Sequence, residues 1–435
     1  MGLAALLPGH ALAQDAPAAP AINSGDTAWM LTSTALVLMM TIPGLALFYG
    51  GLVRKGNLLT TMAQSFATTC LVAVLWVVCG YSLAFTNGND YVGDLSRLLV
   101  AHSSMSAPLT LGEGITGGFT LTIPESVFMM FQMTFAIITP ALISGAFAER
   151  MKFSAVLVFM GLWSLIVYSP VAHWVWHPNG FLFKAGVLDY AGGTVVHINA
   201  GVAGLVTALV IGKRKSYPHD VAPPHNLAFS LIGASLLWVG WFGFNAGSAV
   251  TAGYNAGMAM AVTMVATAAA GLTWMLVGWA VFKKPSIVGL ISGAVAGLVA
   301  ITPASGFVDV TGALILGVIT GIICFFACTT LKAKLGYDDS LDCVGVHGVG
   351  GIVGAVLTGV FATKEVKGGD AAVGLIDGNA DQVITQLIGI GATIAWSAIG
   401  TFVIVKIIDI VIGLRVHPDV EREGLDAHLH GEVQE

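Results

Sequence analysis

Val346-His347-Gly348-Val349-Gly350-Gly351-Ile352-Val353-Gly354-Ala355-Val356 decides the fold, because Val196-His197-Ile198-Asn199-Ala200-Gly201-Val202-Ala203-Gly204-Leu205-Val206 repeats it earlier in the chain. Both read V-H-x-x-x-G-[VI]-[AV]-G-x-V, and both sit in apolar runs too long for a buried strand. Reading such runs of about 17–25 residues as membrane crossings gives eleven spans. Their limits are 27–49, 58–85, 124–147, 154–172, 192–211, 226–248, 256–281, 286–304, 309–331, 342–362 and 384–413. The repeated motif falls in spans five and ten. The first half-repeat is therefore 27–211 and the second 226–362, with span eleven (384–413) outside. Five is odd, so the second half enters the membrane from the opposite side, giving an inverted five-plus-five repeat. The expected fold class is an all-α polytopic membrane protein.

Composition demands a bilayer independently. Of 435 residues, 56% are hydrophobic and 10% charged, against about a quarter charged in soluble domains. The net charge of −6 is small and thinly spread, which excludes nucleic acid as a partner. The 55 glycines suit close helix packing. Cys70, Cys79, Cys324, Cys328 and Cys343 read as small apolar packing residues, without metal-ligand spacing. Residues Met1 to Ala13 hold a short apolar stretch ending in an A-x-A cleavage pattern, read as a signal peptide remnant and set apart from the fold. Residues 14–26 then form an extracytoplasmic N-terminus.

Basic residues orient the chain. With the N-terminus outside, internal loops hold Arg54, Lys55, Arg150, Lys152, Lys213, Arg214, Lys215, Lys283, Lys284, Lys332 and Lys334. The external loops hold only Arg97, Lys184, Lys364 and Lys367. The positive-inside rule puts the N-terminus out and the tail 414–435 in the cytoplasm, the topology expected here of a multi-pass inner-membrane protein.

The histidines carry the chemistry. The glycines at +4 and +7 from each one let the two helices approach closely. A single intramembrane histidine is compatible with packing; two at equivalent repeat positions mark a pathway, meeting near the pseudo-two-fold axis. Two neutral imidazoles share one N–H···N bond and suit a small polar solute better than a metal. Asp189 and Asp342 precede the two histidine helices, and both read as N-terminal caps; Asp189 also faces the side from which a cation would arrive. Trp174, Trp176, Trp241, Phe242 and Phe244 lie near the outer ends of their spans, and Phe131 and Phe135 lie in span three. Most tryptophans belong to an interfacial belt, while a cation site needs ring faces plus an oxygen acceptor.

The runs Thr41-Ile42-Pro43-Gly44-Leu45-Ala46-Leu47-Phe48-Tyr49-Gly50-Gly51, Asp189-Tyr190-Ala191-Gly192-Gly193-Thr194-Val195-Val196-His197, Gly240-Trp241-Phe242-Gly243-Phe244-Asn245-Ala246-Gly247-Ser248 and Gly345-Val346-His347-Gly348 resemble the ammonium transporter branch of the ammonium transporter/Rhesus family. The resemblance covers essentially the whole mature chain. It implies an outer NH4+ site at Trp176, Phe135 and Ser248, with Phe131 and Trp241 nearby, and a gate of stacked rings at Phe135 and Phe244. It further implies a proton relay at His197 and His347, and a conduction role for Asp189 that is structural, electrostatic or both. A homotrimer is implied, as is a tail (413–416, 423–426 and 430–432) that packs on the cytoplasmic face where PII-type signal proteins bind. His177-Pro178-Asn179 departs from the glycine-rich turn expected after Trp176.

The expected function is transport of ammonium or ammonia. An ammonium sensor is the alternative, disfavoured by the short tail. A Rhesus-like gas channel is disfavoured by Trp176 and Ser248. No nucleophile–base set, phosphate loop or cofactor motif suggests an enzyme, and no cofactor is expected.

Overall fold

The computed structural model describes residues 21–101, 105–219 and 221–434; the signal-peptide reading of 1–13 lies outside them. Among the described residues ten helices are long and apolar enough to cross a membrane. They are α1 Ser24–Leu52, α2 Lys55–Phe85, α3 Glu125–Phe147, α4 Phe153–Lys184, α5 Gly193–Ile211, α6 Leu227–Gly247, α7 Tyr254–Phe282, α9 Val310–Leu335, α10 Val344–Phe361 and α11 Asp381–Val411. The chain is an all-α polytopic membrane protein.

The run expected over 286–304 forms a shorter helix, α8 Ile287–Ile301, of 15 residues. At 1.5 Å per residue it spans about 22 Å, less than the bilayer core. Pro303, lacking an N–H, follows its end, and tight turns run on to Phe307. A two-stranded hairpin, β1 Pro108–Leu111 and β2 Phe119–Pro124, was not anticipated and lies between α2 and α3.

Several spans are interrupted by π-helical turns. They fall at Met40–Leu45 in α1, Trp76–Gly80 in α2, Ser164–Tyr168 in α4, Gly193–Ile198 in α5, Ala327–Leu331 in α9 and Val344–Val349 in α10. The turns in α5 and α10 each contain the histidine of the repeated motif. Such turns re-aim side chains and recur at functional sites.

Close backbone approach joins α5 to α10. A Cβ on Gly201 would lie 2.2 Å from the Gly348 nitrogen, and one on Gly351 would lie 2.9 Å from Ile198. The +4 glycines thus meet the opposite motif, whereas Gly354 at +7 packs on the Ala300 carbonyl of α8 instead. Helix α11 straps the core: Gln386 bonds both the N–H and the carbonyl of Leu188 and the carbonyl of Ala355. Ser397 donates to the Asn199 carbonyl, and Trp163 to Thr401.

The face opposite the hairpin is held by buried ions. Arg150, fully buried, donates to the carbonyls of Ala146, Ala148, Gly212 and Asp338 and to the Ser340 hydroxyl. Arg214 bridges Glu149 and Asp338 at 2.8 Å each. Burial alone would raise the Glu149 carboxyl, but Arg214 and Arg54 hold it below its usual range. The tail docks here through α12 Pro418–Glu423 and α13 Leu425–His430. The Asp426 carboxylate accepts the N–H groups of Leu59 and Thr60, and Asn57 accepts from Leu425. Arg415 pairs with Glu421.

Candidate functional site

Asp189 precedes α5, and its side chain is spent on the helix itself. Its oxygens accept from the N–H groups of Gly192, Gly193, Thr194 and Val195 and from the Thr194 hydroxyl. Gly192, at φ 114°, makes the left-handed entry possible. The Asp189 carbonyl accepts from the Trp176 indole at 3.0 Å, so the carboxylate fixes the helix while its backbone fixes the ring.

Before α10 the expectation fails. Asp342 does not cap: its backbone is left-handed (φ 59°) and its carboxylate pairs with Lys332 at 2.7 Å. Asp339 takes the cap, accepting the Val344 N–H at 2.7 Å. The counting signal was available, since Asp339 precedes His347 by the same interval that separates Asp189 from His197. Burial pushes the Asp339 carboxyl up to about 6, offset in part by Lys332.

The two histidines meet. Their Nδ1 atoms are 3.3 Å apart, and the rings are stacked with 15° between planes and 5.3 Å between centroids. One Nδ1 must donate and the other accept. Both residues are buried, and the Nε2 of His197 has no partner among the described residues.

From this pair a line of rings runs toward the hairpin face. His197 lies 6.0 Å from Phe244, Phe244 partly stacks on Phe135 at 4.2 Å and 31°, and Phe135 meets Trp176 edge-on at 5.7 Å. Beyond them is a cavity of about 130 Å³ lined by Phe135, Trp176, Ser248, Gln132, Tyr190 and Phe85, among others. The Ser248 hydroxyl donates to the Phe244 carbonyl at 2.8 Å, which leaves its lone pairs available as acceptors. On the far side of the pair, a cavity of about 160 Å³ is lined by His347, Asp342, Tyr49, Glu149, Arg214 and Ser292, among others.

Two of the expected residues are placed apart from the outer cavity. Phe131 is fully buried behind Phe135, with ring centroids 5.0 Å apart. Trp241 stacks on His197 at 5.4 Å and 20°, and its indole donates to Thr302. The departure at His177 produces a second stacked pair, His173–His177, at 4.7 Å and 11°. His173 reaches the carbonyls of Ala84 and Asn89, tying the end of α2 and the loop after it to α4.

Residues 28–435 match the profile of the Ammonium Transporter Family. The chain belongs to that family. Within the family it is 51% identical to the ammonium transporter of Aquifex aeolicus over 412 residues, covering 94% of this chain and 93% of that protein. It is 48% identical to the ammonium transporter of Bacillus subtilis, with 94% and 98% covered. The crystal structure of Saccharomyces cerevisiae Mep2 superposes with a TM-score of 0.82 at 37% identity, over 92% of this chain and 88% of that one. A structure titled Sensor Amt Protein gives a TM-score of 0.83 at 26% identity, over 92% and 97%.

Proposed function

We propose that this family member transports ammonium across a bacterial inner membrane, recruiting NH4+ at Trp176, Phe135 and Ser248 and passing NH3 along His197 and His347. The observation that carries the reading is the unbroken line of rings from Trp176 through Phe135 and Phe244 to the histidine pair, with a cavity at each end.

The physical logic is selection against K+. A dry apolar pore imposes a desolvation cost of several kcal/mol on either ion. Ammonium avoids it by releasing a proton, because burial favours the neutral form; potassium has no such escape. The ring faces and the Ser248 oxygen hold the ion before that step, and Phe135 and Phe244 gate it. The histidines then offer a donor and an acceptor to NH3 and to the released proton. Asp189 serves the path by holding α5 and the Trp176 carbonyl partner in register.

The rest of the architecture follows the sequence. Helix α8, prolonged by its turns, completes eleven crossings in an inverted five-plus-five arrangement, a reading supported by the repeated histidine motif in α5 and α10. The hairpin face is extracytoplasmic and the tail face cytoplasmic. The chain assembles as a homotrimer and presents α12 and α13 to a PII-type protein. A second reading, an ammonium sensor, is favoured by the likeness to a solved sensor protein.

Current recorded on proteoliposomes after an ammonium pulse separates the readings. A saturable ammonium-dependent current, with none from K+, is the outcome expected of transport. Ammonium binding without current, and without methylammonium or ammonium uptake, would establish the sensor instead.

A further inference from the structure

Gln132 sits in α3 among phenylalanines, where an apolar residue would serve packing better. Phe128, Gln132 and Phe135 share one helix face, and all three line the outer cavity. The residue is only 8% exposed. Its amide oxygen is sealed off without a partner, and the amide makes no hydrogen bond among the described residues. An unpaired amide at membrane depth is costly unless something occupies the cavity beside it. Tyr190, on the same cavity, has a buried hydroxyl that is likewise unpartnered.

We infer that Gln132 is a further specificity-determining residue of the recruitment chamber, supplying a second oxygen acceptor to the ammonium ion beside Ser248. This rests on the recruitment reading above. An ion leaving water exchanges oxygen acceptors for ring faces, and one hydroxyl replaces few of them. Nothing holds the Gln132 amide, and its last torsion is broad, so a half-turn brings Oε1 into the cavity when a cation is there. Four N–H directions of ammonium then meet two oxygens and the faces of Trp176 and Phe135. The Tyr190 hydroxyl stands on the same wall as a polar neighbour.

The test is ammonium chloride titrated against current in proteoliposomes holding the full chain, normalised to inserted protein. Gln132→Leu and Gln132→Met remove the acceptor; each raises the half-saturating ammonium concentration about tenfold with little change in maximal current. Gln132→Glu restores an oxygen of similar reach and lowers half-saturation below that of the parent. A packing role ranks these variants oppositely, with Met the most tolerated and Glu the least. Unchanged half-saturation in the Leu and Met variants overturns the inference, as does a Glu variant that inserts normally yet binds ammonium more weakly than Met. Gln132→Met decides alone if the charged variant does not insert. Ser248→Ala is measured alongside: a shift there without one at Gln132 removes this inference only, and no shift at either position removes the recruitment reading with it.

Discussion

Asp189 and Asp339 stand at matching distances before the two buried histidines, and each accepts backbone N–H groups at the start of its histidine's helix. They differ in how completely they are satisfied. Asp189 gathers four N–H groups and a hydroxyl, whereas one oxygen of Asp339 is buried without a partner among the described residues. Burial therefore wins at Asp339, and its carboxyl is pushed up to about 6 from 3.8.

That difference has a pH consequence. The folded chain binds the Asp339 proton more tightly than the unfolded chain, so this group stabilises the fold least once it is ionised. Its contribution falls as pH rises from about 4 to about 6, by about 3 kcal/mol at one pH unit per 1.36 kcal/mol. Asp339→Asn keeps an acceptor for Val344 without the titration. Thermal melting in detergent should show the parent losing stability relative to the Asn variant across that window. Parallel melting curves from pH 4 to 6 would assign the titration elsewhere.

Much of this was legible in the sequence because it is local. Ten of the eleven expected spans follow from run length, the meeting of His197 and His347 follows from the repeat, and the Asp189 cap follows from its place before a helix. The Asp339 cap was missed because Asp342 sits nearer the apolar run, and the left-handed turn at Asp342 has no sequence mark. The π-helical turns leave the hydrophobic pattern unchanged. The fates of Phe131 and Trp241 depend on which neighbouring helix each ring meets, and spacing along one span does not encode that. The docking of Asp426 on Leu59 and Thr60 joins residues at opposite ends of the chain, beyond any local signal.

Removing the Trp176 ring or the Ser248 hydroxyl should weaken apparent ammonium affinity more than it lowers maximal current. In the proposed mechanism both groups act before the dehydrating step, one as a ring face and one as an acceptor. At about 0.5–2 kcal/mol per contact, the shift is about two- to thirtyfold. Trp176→Leu and Ser248→Ala, titrated with ammonium, check this. If both keep the parent's half-saturation, these residues belong to the interfacial belt.

Topology is checked with reporter fusions. Fusions after Lys215 and Lys284 should report cytoplasm, and one near Lys367 the opposite side. The expectation comes from the bias of basic residues and from the proposal that α8 crosses the membrane. Lys284 and Lys367 reporting from the same side would remove both the orientation and the inverted repeat.

The tail is a docked element, and Asp426 and Asn57 hold its α13 to the start of α2. Asp426→Ala removes the acceptor for Leu59 and Thr60 and so frees α13 from the start of α2, at a cost of about 1–2 kcal/mol. Limited proteolysis should then cut the tail about tenfold faster, with the membrane part intact. Deletion after Val416 should likewise leave a folded membrane domain while altering activity or PII-type partner binding. A truncated protein that transports and associates like the parent would show the tail to be ornament to both.

The histidine pair allows the sharpest test. In the proposed mechanism His197 and His347 keep a polar thread through a path whose other rings are Trp241, Phe244 and Phe135. A neutral imidazole pair serves NH3 and a mobile proton, and offers an intact cation no counter-charge. Asp or Glu at either position supplies that charge, so the barrier to whole cations should fall. Such variants should pass K+, or carry a current that no longer prefers ammonium. Ala at either position should instead lower ammonium current by interrupting the hydrogen-bonded path. If the histidines only pack α5 against α10, both kinds of change mainly destabilise, and selectivity in whatever inserts is untouched. K+ and ammonium currents are compared in single variants already shown to insert and melt like the parent. Acidic variants that meet this standard and remain as selective as the parent would show that the pair does not set selectivity.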